Sequence, residues 1–253
     1  MLLSCGMLES SSKIMIPIAV LASGRGTNFR AIHDAIRTKK LAAEIVAVVS
    51  DQPQAPVLAL ARELGLKTIL VPAESGALRP QNTAPLSERR RIHEEKILAQ
   101  LLPLGPKFLV LAGYMRIVTP LLIDAFRCAR GYCRMVNIHP SLLPAFPGVD
   151  SYAQAFRYGV KWTGVTVHLV ENAVDSGPIC AQEAFSIADC RSEAEVKARG
   201  LAVEHRLLPE ALKWILPEAF SFDYRDVSGV KNCDALDITL DIKNRGRFCV
   251  CPN

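Results

Sequence analysis

The sequence predicts an α/β protein with an open, mostly parallel sheet and helices on both faces. Three observations carry that prediction. Short apolar runs rich in β-branched residues alternate with segments of helical periodicity from Ile16 onward. Gly, Pro, Asn and Ser cluster in the breaks between them. The resulting β-α-β order calls for crossover connections and hence parallel strands. At 253 residues the chain is long enough to bury a full core. One large α/β domain over 16–216 is expected, with an amino-terminal extension over 1–15 and a carboxyl-terminal extension over 217–253 whose role the sequence does not assign.

Each element has its own signal. A strand over 16–22 ends in Ser23-Gly24-Arg25-Gly26-Thr27-Asn28, after which Phe29, Ala31, Ile32, Ala35 and Ile36 recur at helical spacing. A second strand over 45–50, a helix over 57–64 closed by Gly65 and a third strand over 68–71 follow. Residues 73–86, rich in Pro, Gly, Ala, Asn and Ser, read as a surface loop. A helix over 87–102 opens with Arg89-Arg90-Arg91, and a fourth strand over 108–112 leads into Gly113-Tyr114-Met115-Arg116-Ile117. Thr119-Pro120 suits a helix cap and first turn.

The next strand is expected at the centre of the sheet and reads Met135-Val136-Asn137-Ile138-His139-Pro140. A helix over 152–158, a half-buried strand over 165–170 and a further strand from Ile179 come next. Ser192-Glu193-Ala194-Glu195 is a capping box opening the last long helix, which Pro209 should kink or interrupt. Beyond Pro217 no assignable pattern remains.

Composition excludes several function classes. Half the residues are apolar, 22% are charged and the net charge is +5, without the basic stripe of a nucleic-acid binder. The longest apolar run, from Ile14 to Ala22, is about half of what a membrane helix needs. The eight cysteines show no zinc-site spacing and read as reduced thiols in the cytoplasm, with no metal expected.

Two stretches carry chemistry. Asn137 and His139 lie two apart on a strand, so both side chains face one spot, and Pro140 ends the strand there. Ligands bind open α/β sheets at such carboxyl ends. Standing alone, the pair could equally tie down a loop. Gly24 and Gly26 permit tight turning into a helix whose free N–H groups suit a phosphate. Phe29 breaks the dinucleotide fingerprint and no Walker lysine is present, so a single phosphate is favoured, with an ordinary tight turn as the other reading.

Taken together, Gly24-Arg25-Gly26-Thr27-Asn28, Leu111-Ala112-Gly113-Tyr114-Met115-Arg116-Ile117, Asn137-Ile138-His139-Pro140-Ser141-Leu142-Leu143-Pro144, Thr166-Val167-His168, Asp175-Ser176-Gly177-Pro178 and Glu204-His205 resemble the folate-dependent formyltransferases that act on glycinamide ribonucleotide. The resemblance spans about residues 16–216. It implies a Rossmann-like fold and formyl transfer from 10-formyltetrahydrofolate to the amine of a ribosylglycinamide phosphate, in purine biosynthesis. By the same resemblance Gly26, Thr27, Asn28 and Glu204 bind the substrate. Arg90, Met115, Arg116, Ile117, Val118, Asn137, Val170, Glu171, Asn172, Ala173, Val174 and Asp175 line the folate pocket. Asn137, His139 and Asp175 form the catalytic trio, with His168 behind them.

The chain departs from the pattern at Ala145, Asp150 and Tyr152, which puts peripheral phosphate or tail contacts in question. Implied partners are the two small molecules, without nucleic acid or membrane, and a homodimer is left open. A deformylase using water in place of the amine is the alternative, as is a formyltransferase acting on another amine.

The chemistry fits these residue types independently. Attack of an amine on a formyl amide builds negative charge on oxygen, which an amide N–H and an imidazolium stabilise where water is scarce. A carboxylate can move the amine's proton and hold the imidazole charged.

Overall fold

A computed structural model of the chain describes residues 14–72, 85–224 and 248–252. The amino-terminal extension up to residue 13, most of the predicted surface loop over 73–86, and residues 225–247 of the carboxyl-terminal extension lie outside the described residues. The elements are β1 (Ile16–Leu21), α1 (Thr27–Arg37), β2 (Ala43–Ser50), α2 (Pro56–Glu63), β3 (Thr68–Leu70), α3 (Leu86–Leu101), β4 (Phe108–Leu111) and α4 (Pro120–Ala125). Then come β5 (Met135–His139), α5 (Ser151–Tyr158), β6 (Trp162–Leu169), β7 (Ile179–Ser186), α6 (Glu193–Ile215), β8 (Phe220–Tyr224) and β9 (Phe248–Pro252).

The strands form one sheet in the order β3-β2-β1-β4-β5-β6-β7-β9-β8. From β3 to β5 all neighbours are parallel, and β6 then runs antiparallel to both β5 and β7. The chain winds outward from β1 through β2 to β3 and then returns to place β4 on the other side of β1. That reversal opens a crevice beyond the carboxyl ends of β1 and β4, where open α/β sheets take ligands.

The two-residue period of the strands feeds two cores. Ile18, Val20, Phe108, Val110, Val136, Ile138, Val165, Val167 and Leu169 face a core shared with α1, α2, α5 and α6. Ala19, Leu21, Leu109, Leu111 and Met135 face a second core with α3 and α4. Parity therefore turns Asn137 and His139 of β5, and Thr166 and His168 of β6, away from the first core. Register completes the placement, since Asn137 pairs with His168 and His139 with Thr166.

Two expectations need correction. The predicted half-buried strand is buried at every position from Thr163 to Leu169. Its polar side is covered by the loop after β5: Thr166 Oγ1 donates to the Ser141 carbonyl at 2.7 Å and accepts from the Leu143 N–H at 3.1 Å. Gln182 Nε2 of β7 closes that network on Thr166 Oγ1 and the Leu143 carbonyl. Of the kink or interruption expected at Pro209, the interruption does not occur, and the last helix runs from Glu193 to Ile215. Val203, Leu208, Ala211 and Leu212 are buried on both sides of the proline, and that burial offsets a lost backbone bond costing about 3 kcal/mol. Ser192 caps the helix as predicted, its Oγ accepting from the Glu195 N–H.

Among the described residues Cys128, Cys133 and Cys190 are free thiols, and burial pushes Cys133 up to about 12. No helix among the described residues is long and apolar enough to cross a membrane.

Beyond the last helix, where the sequence shows no pattern, β8 and β9 extend the sheet past β7. Phe220 enters the first core at 1% exposure, with its ring 5.2 Å from Tyr132 and 6.1 Å from Trp214. Arg130 lies over both Phe220 and Tyr132 and donates to the Phe220 carbonyl at 2.9 Å. Phe220→Ala should cost about 3–5 kcal/mol, as large-to-small changes at buried aromatic positions do. Denaturant unfolding checks this, and a midpoint equal to wild type would place Phe220 outside the cooperative core.

Candidate active site

The turn after β1 presents α1 to the crevice. Gly26 sits at φ 76°, the left-handed region, and a Cβ there would lie 2.5 Å from Val57 Cγ2. Conformation and the close approach of α2 both require glycine at this point. The first turn of α1 holds no acidic side chain, so its free N–H groups and positive dipole end are open to an anion.

Asn28, one residue into α1, is buried with its Nδ2 donating to Glu204 Oε2 at 2.6 Å. That bond fixes the amide orientation and leaves Oδ1 as a buried acceptor with no protein donor. Glu204, 6% exposed on α6, takes a second hydrogen bond on Oε1 from the Tyr152 hydroxyl, also at 2.6 Å. The structure thus joins Asn28 and Glu204, two predicted substrate residues far apart in sequence.

Asn137, His139, His168 and Asp175 also meet. His168 Nδ1 donates to the Leu169 carbonyl at 2.8 Å, so Nε2 carries the lone pair and accepts from Asn137 Nδ2 at 3.1 Å. Burial pushes the His168 pKa down, in keeping with that neutral tautomer. Its effect is to orient the Asn137 amide, whose second N–H is then aimed by the same plane.

His139 faces oxygen on both sides. Nε2 lies 2.9 Å from the Phe146 carbonyl and 3.2 Å from Ser151 Oγ, and Nδ1 lies 3.4 Å from Asp175 Oδ2. Nε2 donates to the Phe146 carbonyl, and Nδ1 faces the Asp175 carboxylate. Asp175 Oδ2 is held by the Gly148 N–H at 2.8 Å, while Oδ1 stands 3.8 Å from His168. Asp175 itself lies at φ 53°, a region that Asp and Asn tolerate best among side-chain-bearing residues. Gly177 allows the turn, because a Cβ there would lie 1.9 Å from the Leu169 carbonyl oxygen.

The wall beside this cluster is apolar and outward-facing. Met115, Ile117 and Val174 are exposed, at 69%, 47% and 52%, whereas Val170 is buried in the second core. Arg90 and Arg91 line a concavity with Ser87, Val118, Thr119, Pro120 and Leu121. Arg91 is turned onto Glu88 and Glu95 of its own helix, which leaves Arg90 as the better candidate of the two for an anionic tail. Glu171 is mostly buried with Arg127 at 3.7 Å, and burial raises its pKa. Asn172 and Ala173 complete the turn, where the Ala173 carbonyl accepts from Ser176 Oγ at 2.8 Å.

Several supports were not legible in sequence. Ser23 Oγ donates to Asp51 Oδ1 at 2.6 Å and accepts from the Met115 N–H at 2.9 Å, which ties the loop after β4 to β1 and β2. His93 Nε2 meets the Tyr114 hydroxyl at 3.0 Å, and buried Glu94 accepts from the Thr119 N–H at 2.6 Å. Both ends of the loop bearing Met115, Arg116 and Ile117 are thereby anchored. A polar residue at a strand's carboxyl end, such as Asp51, was the one available signal. Among the described residues no group of three or more His, Cys, Asp or Glu could hold a metal ion.

Comparison with known proteins gives the family and the fold. Residues 16–212 match the formyl transferase family model. A phosphoribosylglycinamide formyltransferase of Bacillus subtilis is 36% identical over 202 residues, covering 80% of this chain and 95% of that protein. The crystal structure of glycinamide ribonucleotide transformylase 1 from Symbiobacterium toebii is 37% identical with a TM-score of 0.70, covering 82% of this chain and 90% of that one. A formyltetrahydrofolate deformylase from Pseudomonas syringae shares the fold at 24% identity and a TM-score of 0.69, this chain covering 63% of it. The family model spans most of the chain and the Bacillus subtilis relative is matched over nearly its whole length, so the chain belongs to the formyl transferase family.

Proposed function

We propose that the chain transfers the formyl group of 10-formyltetrahydrofolate to the amine of 5-phosphoribosylglycinamide, giving the formylated product and tetrahydrofolate in purine biosynthesis. The single observation that carries the reading is the contact chain from Asn137 through His168 and Asp175 to His139, set beside the joined pair Asn28 and Glu204. The folate supplies an activated formyl group. All other roles belong to the protein.

Gly26, Thr27 and Asn28 take the substrate phosphate on helix N–H groups, and Glu204 takes the body of the substrate. Met115, Arg116, Ile117, Val118 and the turn from Val170 to Val174 hold the folate, with Arg90 toward its acidic end. Asn137 donates its free amide N–H to the oxygen on which charge develops. His139 has Nε2 committed to Phe146, so Nδ1–H is the donor it can turn toward that oxygen. Asp175 Oδ1, 3.8 Å from His168, takes the amine's proton as the new C–N bond forms and passes it to the folate nitrogen as the old formyl C–N bond breaks. His168 keeps the Asn137 amide aligned and does not itself move a proton. The trio lies within one chain, so a homodimer is not needed to complete it. The catalytic unit is taken as residues 16–216, and the reaction is assigned to the cytoplasm, where the thiols of Cys128, Cys133, Cys180 and Cys190 stay reduced.

The direct test follows folate product release with and without glycinamide ribonucleotide. Release that depends strictly on the amine is expected; release in its absence would mean hydrolysis.

Thr27→Asp puts a carboxylate at the first helical position, favourable for the helix and repulsive to a phosphate. The KM for the phosphorylated substrate should rise roughly tenfold or more. Folate KM and melting temperature should stay near wild type, and equal changes in both KM values would remove the phosphate from this turn.

Asn137→Ala should lower kcat by about 10²–10³, the usual effect of losing one oxyanion donor. Asp175→Asn keeps shape and tolerates the left-handed backbone, so it isolates the charge and should be at least as damaging. The double mutant should lose much less than the product of the single losses, because the residues act as a unit. Single-turnover rates with separately measured affinities decide this, and near-wild-type turnover of Asp175→Asn would rule the mechanism out.

A further inference from the structure

We propose that Tyr152 is a positioning residue for the amine-bearing substrate: its hydroxyl fixes the Glu204 carboxylate in the orientation that the substrate requires. The inference rests on the assignment of Glu204 to the substrate. It is carried by geometry at α5 and α6.

Glu204 is almost wholly buried, and a buried carboxylate needs donors on its oxygens to keep one orientation. It has two. Asn28 Nδ2 donates to Oε2 and the Tyr152 hydroxyl donates to Oε1, both at 2.6 Å, the short range of hydrogen bonds to charged acceptors. With one oxygen held from α1 and the other from α5, the carboxylate plane cannot rotate, and its remaining lone pairs point in set directions. Burial and the Glu204 charge both push the Tyr152 pKa up, so the phenol remains a donor at any working pH.

The ring is seated by a specific absence. A Cβ on Gly200, one turn before Glu204 on α6, would lie 2.1 Å from Tyr152 Cζ and 2.2 Å from its hydroxyl oxygen. Gly200 therefore opens the slot through which the phenol reaches the acid. Tyr152 is itself buried and packs against Phe185 at 6.3 Å between ring centroids, so the hydroxyl has little freedom to leave. Tyr152 departs from the family pattern, and here its hydroxyl has Glu204 as partner.

The test uses the full-length chain. Tyr152→Phe retains the ring and removes the donor, so KM for glycinamide ribonucleotide should rise about tenfold, the loss expected for one hydrogen bond to a charged group. The folate KM and kcat at saturation should stay within about twofold. Tyr152→His, whose shorter ring still offers an N–H donor, should recover part of the lost affinity. Gly200→Ala should reproduce the same selective KM defect by displacing the ring. An unchanged substrate KM in Tyr152→Phe overturns the inference, and so does a parallel rise in both KM values, which would mark a merely structural role. If Tyr152→Phe fails to fold, Tyr152→His decides by the same split between the two KM values. Absence of amine-dependent turnover in the wild-type chain would instead defeat the assigned reaction, so the two failures are told apart.

Discussion

The site depends on one reversal of strand direction. Had β6 run parallel to β5, the chain leaving His139 would have to cross to the opposite edge of the sheet before entering β6. Antiparallel pairing instead brings His168 opposite Asn137 and Thr166 opposite His139. One cross-strand pair thus becomes the amide–imidazole contact, and the next becomes an anchor for the loop that covers it. Sheet register sets these distances, and register slips only in whole residues that would turn each side chain to the other face.

Around that pair the backbone adopts conformations that side-chain-bearing residues avoid. Phe146, Asp150 and Asp175 have φ of 50°, 56° and 53°. Each costs on the order of 1–2 kcal/mol. The return is visible in hydrogen bonds: the Phe146 carbonyl meets His139, the Gly148 N–H meets Asp175, and α5 starts after Asp150 with Ser151 against His139. Strain clusters where polar groups must be aimed, and the surrounding cores hold it in place.

Much of the fold was legible because burial imposes period. The strands from Ile16 to His139 carry apolar side chains on both faces and are bounded by glycine, proline or polar turns, so length and punctuation reveal them. The strand at Trp162–Leu169 was misjudged because alternation of apolar and polar residues normally means one wet face. Here the polar face is dry and turned to chemistry. Pro209 stays inside the helix for a related reason, since packing outweighs local propensity. Asn137, His139 and Asp175 could be named from motifs, yet Ser151, the Phe146 carbonyl and the anchors Ser23, Asp51 and Glu94 could not. Their roles arise from separations of many residues that only the folded sheet closes.

The slot at Gly200 also binds two positions into one unit of inheritance. A phenol at position 152 forbids any side chain at 200, since even a methyl would overlap the ring. A side chain at 200 becomes tolerable only after 152 has shrunk or turned away, and by then the acid at 204 has lost its clasp. Position 200 cannot change while the tyrosine stands. A lineage carrying this tyrosine is held to its glycine by steric exclusion, while the order in which the two could have been acquired runs one way, with the glycine first.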